Sequence, residues 1–316
     1  VSLNNKMSEP AVSVGLNNIS TASPAQNAGK KKAKAVIERI IEYFFFLCAC
    51  MAIVSVAVIT IYIFAKGSPA IIKIGITDFI FGTKWKPLER EFGIFPMVVT
   101  SILGTGGAIA VGVPIGLFTA IFLAEMAPNW VVRVFKPAVE LLAGIPSVVY
   151  GFFGLVVIVP LIGEHLGGPG NSLLAVIIIL SIMILPTIVS ISETSIRAVP
   201  RNYKEGSLAL GASHIQTIFK VILPAARSGI MAAVVLGIGR AIGETMAVIL
   251  VAGNSPFLPK SILDPVRTLT ANIAMEMGYA FGLHRDALFA TGVILFIFIM
   301  AINIILNLIV NKRKGA

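Results

Sequence analysis

Six long apolar runs, more than any single motif, decide what this chain can fold into. They cover residues 40–65, 94–124, 134–162, 173–191, 229–252 and 287–310. A bilayer hydrocarbon layer about 30 Å thick takes roughly 20 apolar residues of helix, so each run is long enough to cross one. Backbone polar groups find no water there, which leaves helix as the form such runs take. An all-α polytopic membrane protein with about six transmembrane helices is therefore expected. Composition agrees: 57% of the 316 residues are hydrophobic and only 13% are charged, about half the charge of an ordinary soluble domain. A bend is expected in the run at 134–162, where Pro137, Pro146 and Pro160 interrupt the helix.

The net charge of +10 could suggest nucleic acid, but its distribution points to topology. Basic residues gather at 30–39, at Arg133 and Lys136, across Arg197, Arg201, Lys204, Lys220 and Arg227, and at 312–314. The loops on the other side carry about half as many, so the positive-inside rule puts both termini in the cytoplasm. The partner implied is the lipid bilayer, not nucleic acid. Residues 1–35 lack apolar periodicity and read as a disordered cytoplasmic tail. The run at 40–65 is too long for the apolar part of a signal peptide and reads as an uncleaved first span. Residues 36–93 thus comprise the first transmembrane helix and an extracytoplasmic loop, with Trp85 expected as an interfacial anchor. Residues 94–311 form the core, and a second outer segment, 253–286, holds a polar helical stretch at 266–278. Cys48 and Cys50, two apart on one helix, cannot make an ordinary disulfide and read as small apolar fillers.

Three constellations stand out. The first lies between Pro200 and Pro224. Pro200 can open a helix, because its missing N–H would go unbonded in the first turn anyway. Tyr203, Lys204, Glu205 and Gly206 begin one or two short amphipathic helices that run to Phe219. Gly211 allows a tight turn or close backbone approach, and Leu223-Pro224 closes the element and begins the next span. As chemistry alone, this could equally be an amphipathic helix on the inner leaflet.

The second constellation is Gly237-Ile-Gly-Arg-Ala-Ile-Gly-Glu-Thr-Met-Ala247. It puts Arg240, Glu244 and Thr245 in the middle of an apolar run, where a charge costs roughly 2.5–3.5 kcal/mol on insertion scales. Arg240 and Glu244, four apart, share a helix face and can pair. Either the pair fixes helix packing, or it lines an anion path. The planar guanidinium suits an oxyanion, and Glu244 would moderate its charge. Gly239 and Gly243, like Gly112 and Gly116, have the spacing of closely packed membrane helices. The third, Glu140-Leu-Leu-Ala-Gly-Ile-Pro-Ser-Val-Val-Tyr-Gly151, frees a backbone carbonyl at Pro146. It also places the Ser147 and Tyr150 hydroxyls at membrane depth, as a packing kink or beside a water-filled path.

Together these stretches resemble the permease subunits of phosphate-specific ABC importers, of the PstC type. Glu205, Gly211, Leu223 and Pro224 fall at the spacing of that superfamily's coupling segment, with Gly206, Ser207 and Val221 in place of two alanines and an isoleucine. Thr245-Met246-Ala247-Val248 and Ala252-Gly253-Asn254 favour the PstC type over its PstA partner. The similarity covers residues 36–311. It implies the type I ABC-importer permease fold in a bacterial or archaeal plasma membrane, with 200–224 as a cytoplasmic coupling helix. It also implies a PstA-type second permease, two copies of a PstB-type ATPase that holds ATP and Mg, and a PstS-type extracytoplasmic phosphate-binding protein. Substrate-path residues on this basis are Arg240, Glu244, Thr245, Ser147 and Tyr150. Those coupling to the ATPase are Tyr203, Lys204, Glu205, Gly206, Gly211, Leu223 and Pro224.

The chain has no G-x-x-x-x-G-K-[ST] phosphate loop. Its histidines, His165, His214 and His284, are scattered over different expected loops without metal-ligand spacing. No cofactor, metal site or enzymatic activity of its own is expected. A permease for sulfate, molybdate or tungstate, an ion-coupled secondary transporter and a phosphate-sensing scaffold remain open alternatives.

Overall fold

The computed structural model describes the backbone of residues 24–312. Of the expected tail, residues 1–23 lie outside the described residues, and residues 24–35 belong to the first helix. That helix, α1 (Pro24–Ile74), is followed by α2 (Ile76–Phe81) and by a two-stranded hairpin of β1 (Trp85–Lys86) and β2 (Glu91–Phe92), in which Trp85 faces Phe92 and Lys86 faces Glu91. The rest is helical: α3 (Phe95–Ile121), α4 (Asn129–Gly144), α5 (Ser147–Phe153), α6 (Val159–Leu166), α7 (Leu173–Arg197), α8 (Arg201–Ala209), α9 (His214–Thr217), α10 (Leu223–Gly243), α11 (Met246–Val251), α12 (Leu269–Glu276) and α13 (Gly282–Lys312).

Six helical segments among the described residues are long and apolar enough to cross a bilayer: Ile37–Ile74, Phe95–Met126, Ser147–Leu166, Leu173–Arg197, His214–Gly243 and Gly282–Ile305. The expected number holds, but two boundaries move. The run at 134–162 is cut at Ile145 and Pro146, both in extended conformation. Its first part is the amphipathic helix α4, and the span begins only at Ser147. The fifth span starts and ends earlier than its apolar run, because polar residues from His214 onward are already helical and the helix stops at Gly243.

Three π turns, Phe122–Met126, Gly154–Ile158 and Ile218–Ile222, occupy the same place relative to a proline. Pro128, Pro160 and Pro224 each follow by two residues. At Pro160 and Pro224, which continue their helices, the ring collides with the carbonyl four residues back, and the wider π register swings that carbonyl off the helix axis; at Pro128 the helix has already ended, at extended Ala127. Pro224 therefore does not end the polar segment: α9, the π turn and α10 form one continuous helix, which begins at His214.

The core is built on α7, whose side chains are the most deeply buried of any span. Ile179, Met183, Ile184 and Ile188 are all almost fully enclosed. Packing rather than hydrophobicity holds helices together in lipid, so small residues let α3 approach α7. A Cβ at Gly112 would lie 2.7 Å from Ile184, and one at Gly116 2.8 Å from Ile188. The glycine spacing read from the sequence is thus explained for this pair. It is not for Gly239 and Gly243, which have nothing within 4 Å of a built Cβ.

A second cluster gathers Phe79, Trp85, Phe92, Met97, Leu269 and Leu288 around the hairpin end of the bundle. Trp85 is 5% exposed, and its Nε1 donates to Glu276 at 2.8 Å. The expected interfacial anchor is therefore a buried tie between two segments. Glu276 also receives Arg267 at 2.7 Å and His284 at 2.8 Å. The buried carboxylate is paid for by three donors, in keeping with the rule that enclosed charges are paired. All three histidines lie on helices rather than in loops.

Candidate functional site: two broken helices and a polar elbow

Two spans are interrupted, and the interruptions meet. The first is the Ile145-Pro146 break before α5. Proline disfavours helical conformation in the residue before it, and Ile145 has ψ 129. Tyr150, one turn into α5, reaches back across the break and donates its hydroxyl to the Leu142 carbonyl at 2.7 Å. The tyrosine is buried, so this bond satisfies both a phenol and a carbonyl left over at the end of α4. Ser147 is the first residue of α5 and is half-buried.

The second interruption is at Glu244 and Thr245, where α10 stops and α11 begins. Glu244 has ψ 132, which takes it off the helix that carries Arg240. The expected i, i+4 ion pair is not formed, because the two residues do not share a helix. Instead Glu244 Oε1 accepts the N–H of Ala247 at 3.1 Å, in the first turn of α11. Its carbonyl accepts the Thr270 hydroxyl at 3.0 Å. Thr245 turns its hydroxyl to the Gly243 carbonyl at 3.2 Å. Side chains thus satisfy the freed backbone groups that lipid would leave bare.

Arg240 lies in the last turn of α10, half-buried. Its Nη1 reaches the Thr187 hydroxyl on α7 at 3.4 Å. Among the described residues no carboxylate forms an ion pair with it. Gly151 brings the two breaks together, since a Cβ there would lie 2.7 Å from Ala247 Cα. Tyr150, Glu244 and Thr245 therefore flank the Gly151–Ala247 contact, and Arg240 lies one turn earlier on α10; no hydrogen bond ties Ser147 to them among the described residues. Thr187 and Thr270 are added as partners of Arg240 and Glu244. Sequence reading missed these two: a single threonine in an apolar span, or in a loop helix, carries no local signal of its partner.

The expected coupling residues form an elbow. Pro200 is the N-cap of α8, one position earlier than expected, and the helix starts at Arg201. Tyr203 and Glu205 are exposed on it, as is Gly206. Lys204 instead turns inward to Glu125 at 2.6 Å. Gly211 has φ +85 and no neighbour within 4 Å of a built Cβ, so what it supplies is the left-handed turn. Ser213 and Gln216 then make a reciprocal capping box for α9. The Ser207 and Thr217 hydroxyls meet at 3.0 Å and hold α8 against α9. Leu223 packs into the cluster around Ile196, Ile218 and Ile222, while Pro224 is exposed. Leu210 and Ile215 stand out from the elbow, and a cavity of about 560 Å³ lies beside it, lined in part by Arg201, Lys204 and Glu205.

Residues 112–315 match the family described as the binding-protein-dependent transport system inner membrane component. The chain belongs to that family. It is 40% identical over 274 residues, 84% of this chain and 89% of the other, to a probable ABC transporter permease protein, YqgH, of Bacillus subtilis. It is 36% identical to the phosphate transport system permease protein PstC of Haemophilus influenzae, over 75% of this chain and 82% of that one. The PstC protein of Xylella fastidiosa strain 9a5c is 35% identical, over 87% and 93% of the two chains. Among solved structures, the inward-facing MetNI methionine ABC transporter aligns with TM-score 0.57 and 21% identity, over 72% of this chain and 99% of that chain. A bacterial ABC transporter involved in import of the acidic polysaccharide alginate aligns with TM-score 0.56 and 16% identity, over 87% and 98%. The fold is that of ABC-importer permeases, and the chain is a multi-pass membrane protein of this family.

Proposed function

We propose that the chain is a PstC-type permease subunit of an ATP-driven importer for inorganic phosphate. The observation that carries this reading is Arg240, a guanidinium in the last turn before a helix break, whose hydrogen-bond partner among the described residues is a threonine hydroxyl. A charge in that position is costly unless something compensates it, and a passing oxyanion supplies what no carboxylate among the described residues does. Guanidinium binds phosphate through two parallel hydrogen bonds. The names carried by the PstC relatives point to phosphate.

In this reading both termini are cytoplasmic, and the elbow from Arg201 to Thr217 docks on a PstB-type ATPase, present in two copies and holding ATP and Mg. Tyr203, Glu205, Gly206 and Leu210 form the docking knob. A PstA-type permease completes the path, and a PstS-type protein delivers phosphate from outside. Movement of the elbow passes along the continuous helix α9–α10 to Arg240. The chain carries out no chemistry of its own.

The test is reconstitution with those partners in vesicles and measurement of radiolabelled phosphate flux with and without ATP. Flux that needs ATP and is not displaced by sulfate or molybdate is the expected result. Accumulation driven by an ion gradient through this subunit alone would overturn the proposal, and displacement by sulfate or molybdate would reassign the substrate.

A further inference from the structure

One buried carboxylate plays no part in the path described above. Glu193, near the end of α7, is 2% exposed and takes two cations. Lys136 of α4 donates to its Oε2 at 3.0 Å, and Arg197 of α7 donates to its Oε1. Arg197 extends further, with Nη2 at 2.7 Å from the Leu123 carbonyl. Leu123 lies in the π turn that ends the second span, where the widened register leaves carbonyls open to an outside donor. Two residues on, Glu125 receives Lys204 of α8.

The bonds form an unbroken series. It starts on α8 of the elbow, passes through the π turn at 122–126, reaches Glu193 and ends on α4. There the Tyr150–Leu142 bond continues it across the break into α5. Two stretches far apart in sequence, the π turn with α4 and the end of α7 with α8, are thus tied by directed, charged contacts rather than by apolar packing alone. Apolar contacts slide, whereas breaking a buried ion pair is strongly unfavourable, and Glu193 without Lys136 would be left with Arg197 as its one cation among the described residues. Such a knot moves as a unit or switches as a unit.

We propose that Glu193 is a positioning residue that transmits displacement of the elbow to the broken third span, with Lys136 as its arm on α4. This rests on the elbow being where an ATPase acts. It adds a second route to the site, separate from the helix α9–α10 that leads to Arg240: one route moves the guanidinium, and the other moves the Pro146 break opposite it. Neither Glu193 nor Lys136 touches the path.

The test uses the assembled importer in vesicles and reads anion moved per ATP hydrolysed. In Lys136→Gln, whose side chain is 42% exposed and can be lost without opening a core cavity, the ratio is expected to fall about tenfold while ATP hydrolysis stays within about twofold, as for removal of a coupling free energy between two sites. Glu193→Gln should behave alike, and Lys136→Arg, which keeps the cation, should hold the ratio near wild type. An unchanged ratio in Lys136→Gln overturns the proposal, whether or not Glu193→Gln assembles. So does an equal loss in Lys136→Arg, because the charge would then not be what matters. If the wild-type importer moves a different anion, the ratio is read with that anion, so a wrong substrate and a wrong relay give different results.

Discussion

Gly151 and Ala247 stand so close that a single added Cβ on the glycine would lie 2.7 Å from the alanine Cα. This contact joins the turn after the Pro146 break to the turn after the Glu244 break. Gly151→Val should force the two helices apart, at an overpacking cost of roughly 1–3 kcal/mol. Reduced thermal stability of the detergent-solubilised protein, with reduced transport in vesicles, is the expected outcome. A variant with wild-type stability and flux would mean that the breaks need not touch.

Arg240→Gln removes the charge but keeps a hydrogen-bonding side chain beside Thr187. Loss of a charge-assisted bond to an oxyanion is worth about 1.5–3 kcal/mol, or ~10- to 100-fold in uptake. Subunit assembly should be retained, as read by copurification. Glu244→Gln should do less harm to uptake than Arg240→Gln, because Glu244 caps α11 instead of holding the guanidinium and a glutamine oxygen can still accept the Ala247 N–H. Equal losses in the two variants would restore the pair as a unit.

Gly211→Ala places a side chain at φ +85, where an L-residue costs roughly 1–2 kcal/mol. Nothing crowds the position in this chain, so the strain is in the backbone and should loosen the turn between α8 and α9. Weaker retention of the ATPase on the solubilised complex is expected, and Gly211→Leu should lose more, as bulk is added at the docking knob. Unchanged retention in both would count against the elbow as the docking element.

Trp85→Phe keeps the aromatic packing on Phe92 and His284 but removes one of three donors from buried Glu276. A hydrogen bond to a charged group contributes about 1.5–3 kcal/mol, enough to lower the thermal midpoint by roughly 5 °C. Transport per folded complex should change little. A variant as stable as wild type would show that Arg267 and His284 suffice.

Much of this protein was legible in its residues. The number of spans follows from runs such as 173–191, because the bilayer imposes one length on all of them. Gly211 marks a turn that the structure contains, since φ is a local property; the equally local capping pair Ser213 and Gln216 went unread. The resemblance to the family is upheld by the match over residues 112–315. The bonds of the expected path residues were not legible: Arg240 meets Thr187, and Glu244 meets Ala247 and Thr270. Glu193 lies two residues beyond the apolar run at 173–191, and its i, i+4 spacing to Arg197 is the local signal of the pair.

Length, polarity and turn chemistry act over a few residues, and the sequence alone determined what depends on them: a predominantly helical membrane chain, six helices long enough to cross a bilayer and one polar elbow. Only the tertiary structure decided which donor meets which acceptor. Glu244 leaves the helix of Arg240 because α10 stops at Gly243, and Trp85 is buried because Glu276, 191 residues away, is brought beside it. Pairings of this kind are chosen by packing among distant segments, where every enclosed polar group must find a partner, and no window of neighbouring residues contains that choice.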